Sequence, residues 1–202
     1  MVTHTFIEID LPEAARLESL VGMSYDLQQA RTFATRLKAS LATNQEQGLI
    51  EPLWIAAMVQ YFRAFGGGVR QNLNDVLLAS LDSEQRQKHS WFYEVRGRHV
   101  VHSVNTFEKS QTIARYVAEE VNDRGIYAIE CNHHRVIGPS SQDVDELIAL
   151  ADTLLTKVNL LAKEEKSRLL TTVKEIPIDE LLARGAKEAY HPDMNRPERR
   201  RT

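Results

Sequence analysis

The sequence lacks the features that mark secreted and membrane proteins. It has one cysteine, Cys131, among 202 residues, which rules out a disulfide within the chain and suits a reducing cytoplasm. It has no run of about eighteen apolar residues, so no membrane span is predicted. Its first residues, MVTHTFIEID, lack the basic and then apolar pattern of a signal peptide. These absences predict a cytoplasmic protein without membrane contact.

The sequence also lacks an excess of charge of either sign. It has 25 lysines and arginines against 28 aspartates and glutamates, and a formal net charge of −3. This balance argues against a protein that coats nucleic acid through bulk positive charge, but it is compatible with a local basic site. Hydrophobic residues make up 43% of the chain, which is enough for a core, and the length fits one domain.

Helical periodicity dominates the chain. Apolar residues recur at steps of three and four from about Pro12 to Ala42 and from about Gln142 to Leu170, which predicts two long helices. Pro52 is placed near the start of a second helix, where a missing N–H costs least. The shorter predicted helices are at about 52–65, 73–81, 82–96 (opened by an Asp82–Gln85 cap) and 176–190.

One region breaks the helical pattern. Between residues 111 and 138, the short β-branched segments GIYAIEC and RVIG are separated by the turn-like NHH. They predict two or three antiparallel strands. The predicted fold is therefore mainly α: a helical bundle at 1–190 with a small inserted antiparallel β-hairpin or three-strand meander. A disordered basic tail is predicted at 191–202.

The least ordinary stretch is YEVRGRHVVHSVNTFE, residues 93–108, with two arginines and two histidines within seven positions. Arginine carries a permanent planar charge that fits phosphate oxygens two at a time. Histidine titrates near neutral pH and can take or give a proton. RNA cleavage without a metal needs both functions, since one group removes the 2′-OH proton and another stabilises the phosphorane.

Helix geometry alone does not bring Arg96 and His102 together, because positions six apart point about 120° apart. His102 instead shares a helix face with Arg98 and His99. Two arrangements would join the pair: a local loosening at Gly97, or a two-fold dimer in which two copies converge. The structural alternative is a solvated helix face with no ligand.

The spacing of Arg96 and His102 resembles the R-x(4–6)-H motif of the HEPN superfamily, a group of small helical-bundle proteins. The segment VRGRHVVHSVNTFE is also similar to one in a bacterial HEPN-like group, which reads approximately Arg-Asn/Asp-Lys-His-Ile-Ala-His-Ser-Val-Asn. The upstream WIAAMVQYFRAFGGGVR is similar to the same group. By motif, the resemblance covers roughly residues 50–108.

The resemblance implies a function and its site residues. Many family members are metal-independent endoribonucleases of toxin–antitoxin or phage-defence systems, and they dimerise along the motif helices. Carried over, Arg96 and His102 are the catalytic pair, and no metal or cofactor is expected. The expected partners are a second copy, RNA, and an antitoxin or defence-system protein. The expected supporting contacts to RNA are Arg98, His99 and Asn105.

One position departs from the family pattern. The residue after the motif arginine is often Asn, Asp or His in the family, where it orients the pair, but here it is Gly97. Some family members are inactive and serve as scaffolds. The departure therefore favours the alternative reading, a non-catalytic HEPN-like binding or scaffold protein.

Three other features have simpler interpretations. RAFGGGVR follows a helix and is not followed by Gly-Lys-Ser/Thr. A helix–helix connection is therefore predicted rather than a phosphate loop. A further hypothesis is that the flanking residues Arg63 and Arg70 contribute to an RNA-binding surface. ECNHHR lacks a second pair of ligands, so an exposed turn is predicted rather than a zinc site. The aromatic side chains predicted for the core or a dimer interface are Trp54, Tyr61, Phe62 and Phe65.

Overall fold

The computed structural model describes residues 9, 11–43, 47–66, 70–97, 108–116, 126–135 and 138–183. The helices in these ranges are α1 (Pro12–Thr43), α2 (Gln47–Arg63), α3 (Asn74–Leu78), α4 (Ser83–Val95), α5 (Ser141–Glu175) and α6 (Ile178–Ala183). The antiparallel strands β1 (Glu108–Tyr116) and β2 (Ile126–Arg135) lie between α4 and α5. The predicted mainly helical fold with an inserted hairpin is confirmed. None of these helices is both long and apolar enough to cross a membrane.

The two longest helices, α1 and α5, share one apolar seam. The buried seam residues of α1 are Leu20, Met23, Leu27, Ala30, Ala34 and Leu37. Those of α5 are Val144, Leu147, Ala151, Leu154 and Val158. Both sets alternate steps of three and four, which is the heptad pattern of a coiled coil. The same spacing explains why the sequence predicts both helices so clearly.

Polar contacts along the seam define its direction and register. The contacts are Lys38–Asp145 and Arg31–Asp152, each at 2.7 Å, and a Ser24 hydroxyl that donates to Asn159 Oδ1 at 2.8 Å. Each step moves seven residues along α1 (24, 31, 38) and seven in the opposite direction along α5 (159, 152, 145), so the helices are antiparallel. Exposed pairs of this kind contribute little stability each. Their main effect is to favour one register.

The seam ends in an ionic layer. Continuing the steps of three and four reaches Arg16 on α1 and, one seam position beyond Leu161, Glu165 on α5, and Arg16 Nε lies 3.4 Å from Glu165 Oε2. Arg168 also pairs with Glu165, which is only 6% exposed. A buried carboxylate is costly unless it is paired. A shift in register between α1 and α5 would separate Arg16 from Glu165, so this layer adds specificity to the apolar seam.

The second face of α1 packs against α2 and the segment that follows it. At its centre is Asp26, which is 1% exposed. Arg70 Nη1 donates to Asp26 Oδ2 at 2.5 Å, and Arg63 Nε lies 3.5 Å from Oδ1. A Cβ at Gly22 would lie 3.0 Å from the Arg70 guanidinium, so this mid-helix glycine lets the arginine reach its partner. Both arginines flanking the glycine segment thus face a carboxylate, which argues against their role in an RNA-binding surface.

The predicted position of Pro52 is wrong in one respect. Helix α2 begins at Gln47, so the proline lies inside the helix rather than near its start. A proline there removes one hydrogen bond to the carbonyl four residues earlier, on Gly48. Both Pro52 and Gly48 are exposed, so water can bind that carbonyl. Burial of α2 residues further along therefore outweighs the local cost.

The predicted turn at NHH is also wrong. Residues 132–134 pair with residues 109–111 inside the ladder, so β2 is one continuous strand through Arg135. Within the described ranges the sheet is a two-stranded hairpin, not a three-strand meander, and it begins at Glu108 rather than 111. Cross-strand hydrogen bonds to β1 override the local turn preference of asparagine and histidine.

We expect Arg70→Met to lower the free energy of unfolding by about 3 kcal/mol, because Asp26 would stay buried with only the longer Arg63 contact. Urea denaturation measures the change. Arg36→Met is the matched control, since Arg36 is exposed on the same α1 helix, and we expect a change below about 0.5 kcal/mol. Equal losses in the two variants would contradict the role assigned to the Asp26 ion pair.

Candidate functional site

The helix that carries the motif arginine is anchored at both ends. At the start of α4, the Asp82 carboxylate accepts from the Gln85 N–H at 2.8 Å, and the Gln85 side chain accepts from the Asp82 N–H at 3.3 Å. This capping box confirms the predicted cap. Near its end, α4 buries Phe92 and Val95, and the Phe92 ring centroid lies 5.9 Å from that of Trp54 on α2. The turn that follows therefore starts from a fixed position.

Arg96 lies directly after this anchored end. Its backbone is still helical, with φ −58° and ψ −46°, and the helix widens into a π-type turn at Arg96 and Gly97. Such turns occur frequently at functional sites. The Arg96 side chain is exposed, and its guanidinium makes no hydrogen bond or ion pair within the described ranges. Its charge is thus available to a ligand anion.

The other predicted site residues cannot be placed beside it. His102, Arg98, His99 and Asn105 lie outside the described residues. The pairing of Arg96 with His102 therefore stays a prediction.

Sequence reasoning missed one histidine near Arg96. His89, Tyr93 and Arg96 follow one another at steps of four and three, which places them along one face of α4. Tyr93 is 61% exposed, whereas His89 is half-buried. The helical spacing was visible in the sequence and could have associated this histidine with the motif, but its burial could not be read there.

His89 is held by a buried tyrosine. The Tyr61 hydroxyl lies 2.9 Å from His89 Nδ1, and burial raises the pKa of Tyr61 well above its ordinary value. The phenol therefore keeps its proton, and one hydrogen bond joins the hydroxyl to Nδ1, with either group able to donate. Burial also lowers the pKa of His89, so the ring is held in its neutral form.

Aromatic rings surround the histidine. The Phe65 and Phe62 centroids lie 4.7 and 5.7 Å from that of His89, and Tyr93 meets Phe62 edge-on at 5.6 Å. The prediction that the α2 aromatics belong to the core is confirmed for Trp54, Tyr61 and Phe62, which are all buried. The exposed arginine therefore follows a rigid aromatic layer, and only Tyr93 of that layer offers an open ring.

The opposite side of α4 holds a cavity of about 540 Å³ between α4 and α5. Lys88 lies over the Trp91 ring at 4.2 Å and pairs with Asp143 and Glu146 at 2.8 and 2.5 Å. Asp82 and Glu84 add further negative charge. This cavity is unsuited to a phosphate, so the basic end of the helix is the better candidate site.

The cysteine and histidines of ECNHHR do not converge. Cross-strand pairing places Cys131 and His133 on one face of the hairpin and His134 on the other. Across the described ranges, no three His, Cys, Asp or Glu side chains are grouped as metal ligands.

Comparisons with protein-family models, with curated proteins and with solved structures find no match to this chain. The HEPN resemblance therefore depends on the motif residues alone. Chemically, the described part of the site offers a permanent cation, an open tyrosine ring and a neutral imidazole on one helix face. Such a set suits a phosphate with an attached base or sugar.

We expect the free energy of unfolding to fall as the pH decreases below the ordinary histidine pKa of about 6.5. The unfolded chain has a His89 pKa near the ordinary 6.5, and burial lowers the pKa in the folded state. The unfolded state therefore binds this proton first, and stability is lost as the pH falls through the folded-state pKa. Urea denaturation at several pH values measures the slope.

His89→Gln should flatten this slope, because it removes the titrating group but keeps an acceptor for the Tyr61 hydroxyl. Tyr61→Phe should lower stability by about 1 kcal/mol and keep the slope, since His89 stays buried. A slope that is unchanged in His89→Gln would show that other groups cause the pH dependence.

Proposed function

We propose that this protein is a HEPN-like, metal-independent endoribonuclease that acts as a cytoplasmic homodimer in a toxin–antitoxin or phage-defence system. The observation that carries the proposal is the state of Arg96: an exposed guanidinium on a π-type turn, without a partner in the described ranges. An arginine with a structural role would be expected to pair within its own chain. The family resemblance supplies His102 as the second catalytic residue.

In the proposed reaction, His102 removes the proton of a ribose 2′-OH, and the oxygen attacks the adjacent phosphorus. Arg96 stabilises the charge that develops on the phosphorane. The bond from phosphorus to the 5′-oxygen then breaks, and that oxygen takes a proton from a histidinium, which the second copy of the motif can supply. The products carry 2′,3′-cyclic phosphate and 5′-hydroxyl ends. Arg98, His99 and Asn105 are proposed to contact the RNA.

A non-catalytic binding or scaffold protein of the same fold is the second candidate, and Gly97 favours it. A Cβ built on Gly97 meets no atom within 4 Å. Packing therefore does not impose glycine at this position, and a polar residue of the kind found in the family would fit. Its absence is consistent with a site that binds RNA or a protein partner without cleaving it.

We expect the wild-type protein to cleave single-stranded RNA in EDTA and to leave 2′,3′-cyclic phosphate ends. His102→Ala should slow cleavage by about 10²–10⁴-fold, through loss of proton transfer. Arg96→Ala should slow it by about 10²–10³-fold, through loss of phosphorane stabilisation. Denaturing gels and end-group analysis measure rates and products.

Arg86→Ala is the matched control for this assay, because Arg86 is exposed on the same helix, about three turns before Arg96. It should cleave at the wild-type rate. If the folded wild-type protein cleaves none of a varied set of RNAs, the scaffold interpretation is favoured. Equal loss in Arg86→Ala and Arg96→Ala would indicate that bulk charge, and not a catalytic arginine, drives cleavage.

We expect Gly97→Asn to fold normally, since the position is open, and to accelerate cleavage by several-fold to about 10²-fold through better orientation of the pair. Gly97→Ala is the control, because it stiffens the backbone without adding a polar group. A comparable gain with alanine would attribute the effect to the backbone. A slower Gly97→Asn enzyme would contradict the idea that a polar residue is missing there.

A further inference from the structure

In the part of the chain that the structure describes, the hairpin has little support from the helices. Across the described ranges, β1 and β2 pack on each other and make at most marginal contact with the helices. An isolated two-stranded sheet is marginally stable in water, and independent stability normally needs further strands or a helix against one face. The hairpin therefore lacks the covering that such a sheet ordinarily has.

The two faces of the hairpin differ in charge. Cross-strand partners share a face, so the register separates the side chains into two sets. One face, here called the uncharged face, consists of Ser110, Thr112, Ala114 and Tyr116 on β1 and Ile126, Ile129, Cys131 and His133 on β2, all of them exposed. The opposite face carries Lys109, Arg115 and Glu130, with Arg115 Nε 2.8 Å from Glu130 Oε1.

The uncharged face is apolar toward the end where the chain turns from β1 to β2. Tyr116 is 68% exposed and Ile129 67% exposed, with Ile126 paired opposite Tyr116. Tyr127, the extra residue of the bulge at this end, is also exposed. Toward the other end the face becomes polar, where the Ser110 hydroxyl lies 3.0 Å from His133 Nδ1. Clustered exposed apolar side chains of this kind are candidates for an interaction surface.

We propose that the uncharged face is a self-association surface, on which the hairpins of two copies of this chain pack face to face. The absence of charge on this face indicates which partner can pack on it. Nucleic acid or a strongly charged protein would meet no opposite charge there. A second copy brings an identical uncharged surface, so there is no charge repulsion. The polarity gradient also matches itself when both hairpins point the same way, since apolar end meets apolar end. This inference goes beyond the proposed ribonuclease function and does not depend on it.

The size of the face limits the strength of the association. A strand of nine residues is about 30 Å long, and two strands with their side chains give a face of roughly 300 Å². A standard interface buries about 800 Å² on each partner. The hairpin dimer is therefore a weak one that forms and dissociates with concentration.

Sedimentation velocity of the full chain over a range of concentrations tests the proposal. The wild-type protein should double in mass as concentration rises, from monomer to dimer, or from dimer to tetramer if the motif helices already hold two copies together. Ile129→Lys should weaken the dimer by at least about tenfold, because two lysines would face each other in an apolar contact. Gln111→Lys is the matched control on the opposite face, where Gln111 is exposed, and it should behave as wild type.

Two results would overturn the proposal: a wild-type protein whose mass does not change with concentration, or a concentration-dependent doubling of mass that Ile129→Lys leaves unchanged. Far-UV circular dichroism of each variant checks that the helices remain folded. The hairpin makes at most marginal contact with them, so loss of dimer without loss of helix is the expected combination.

Cys131 provides a second readout, because it is an exposed free thiol near the middle of the uncharged face. Sheets that pack face to face lie about 10 Å apart, within reach of a short bismaleimide. The wild-type protein should form a covalent dimer, Cys131→Ser should form none, and Ile129→Lys should form much less. Crosslinking of Ile129→Lys at the wild-type yield would overturn the proposed geometry.

Discussion

The antiparallel seam between α1 and α5 is the constraint on which the other contacts depend. Its buried residues follow the heptad spacing on both helices, and the ionic layer of Arg16 and Glu165 penalises any other register. Residues 44–140 connect the two helices. The packing of α1 on α5 therefore fixes the distance between the two ends of this connecting segment. Helices α2, α3 and α4 and the hairpin are all inserted between the two halves of the seam, and only the short α6 follows α5 among the described elements.

The position of Arg96 follows from this frame. Helix α4 contacts α5 through Lys88, which bonds Asp143, and through Gln85, which donates to Thr153 at 3.0 Å. On its other side Phe92 packs on α2. Three separate anchors therefore hold a helix of only 13 residues, which is too short to be stable alone. The exposed arginine at its end therefore has a fixed position. The proposed contact with a phosphate requires such a position, because it depends on precise geometry.

The bundle and the hairpin solve the problem of burial in opposite ways. The bundle pairs its buried carboxylates Asp26 and Glu165 with arginines. The hairpin leaves apolar side chains exposed, and at most marginal contact with the helices covers them in the described ranges. The second copy proposed to pack on the uncharged face would bury them.

The sequence by itself determined the elements whose signals are local. Steps of three and four predict α1 and α5, because burial on a helix repeats with the helical turn. The cap of Asp82 and Gln85 is predictable, because both partners lie within one turn. The motif also predicts Arg96 as a site residue, whereas its exposure and lack of a partner within the described ranges are properties of the folded chain.

Only the tertiary structure decided the features that depend on distant residues. Arg70 faces Asp26 rather than a ligand, and Tyr61 hydrogen-bonds His89, because residues 44 and 28 positions apart meet in the fold. The NHH segment is a strand and not a turn, because β1 supplies its hydrogen bonds. Local preferences are worth a fraction of a kilocalorie per mole per residue, whereas burial and pairing with distant partners contribute more, so the distant partners prevail.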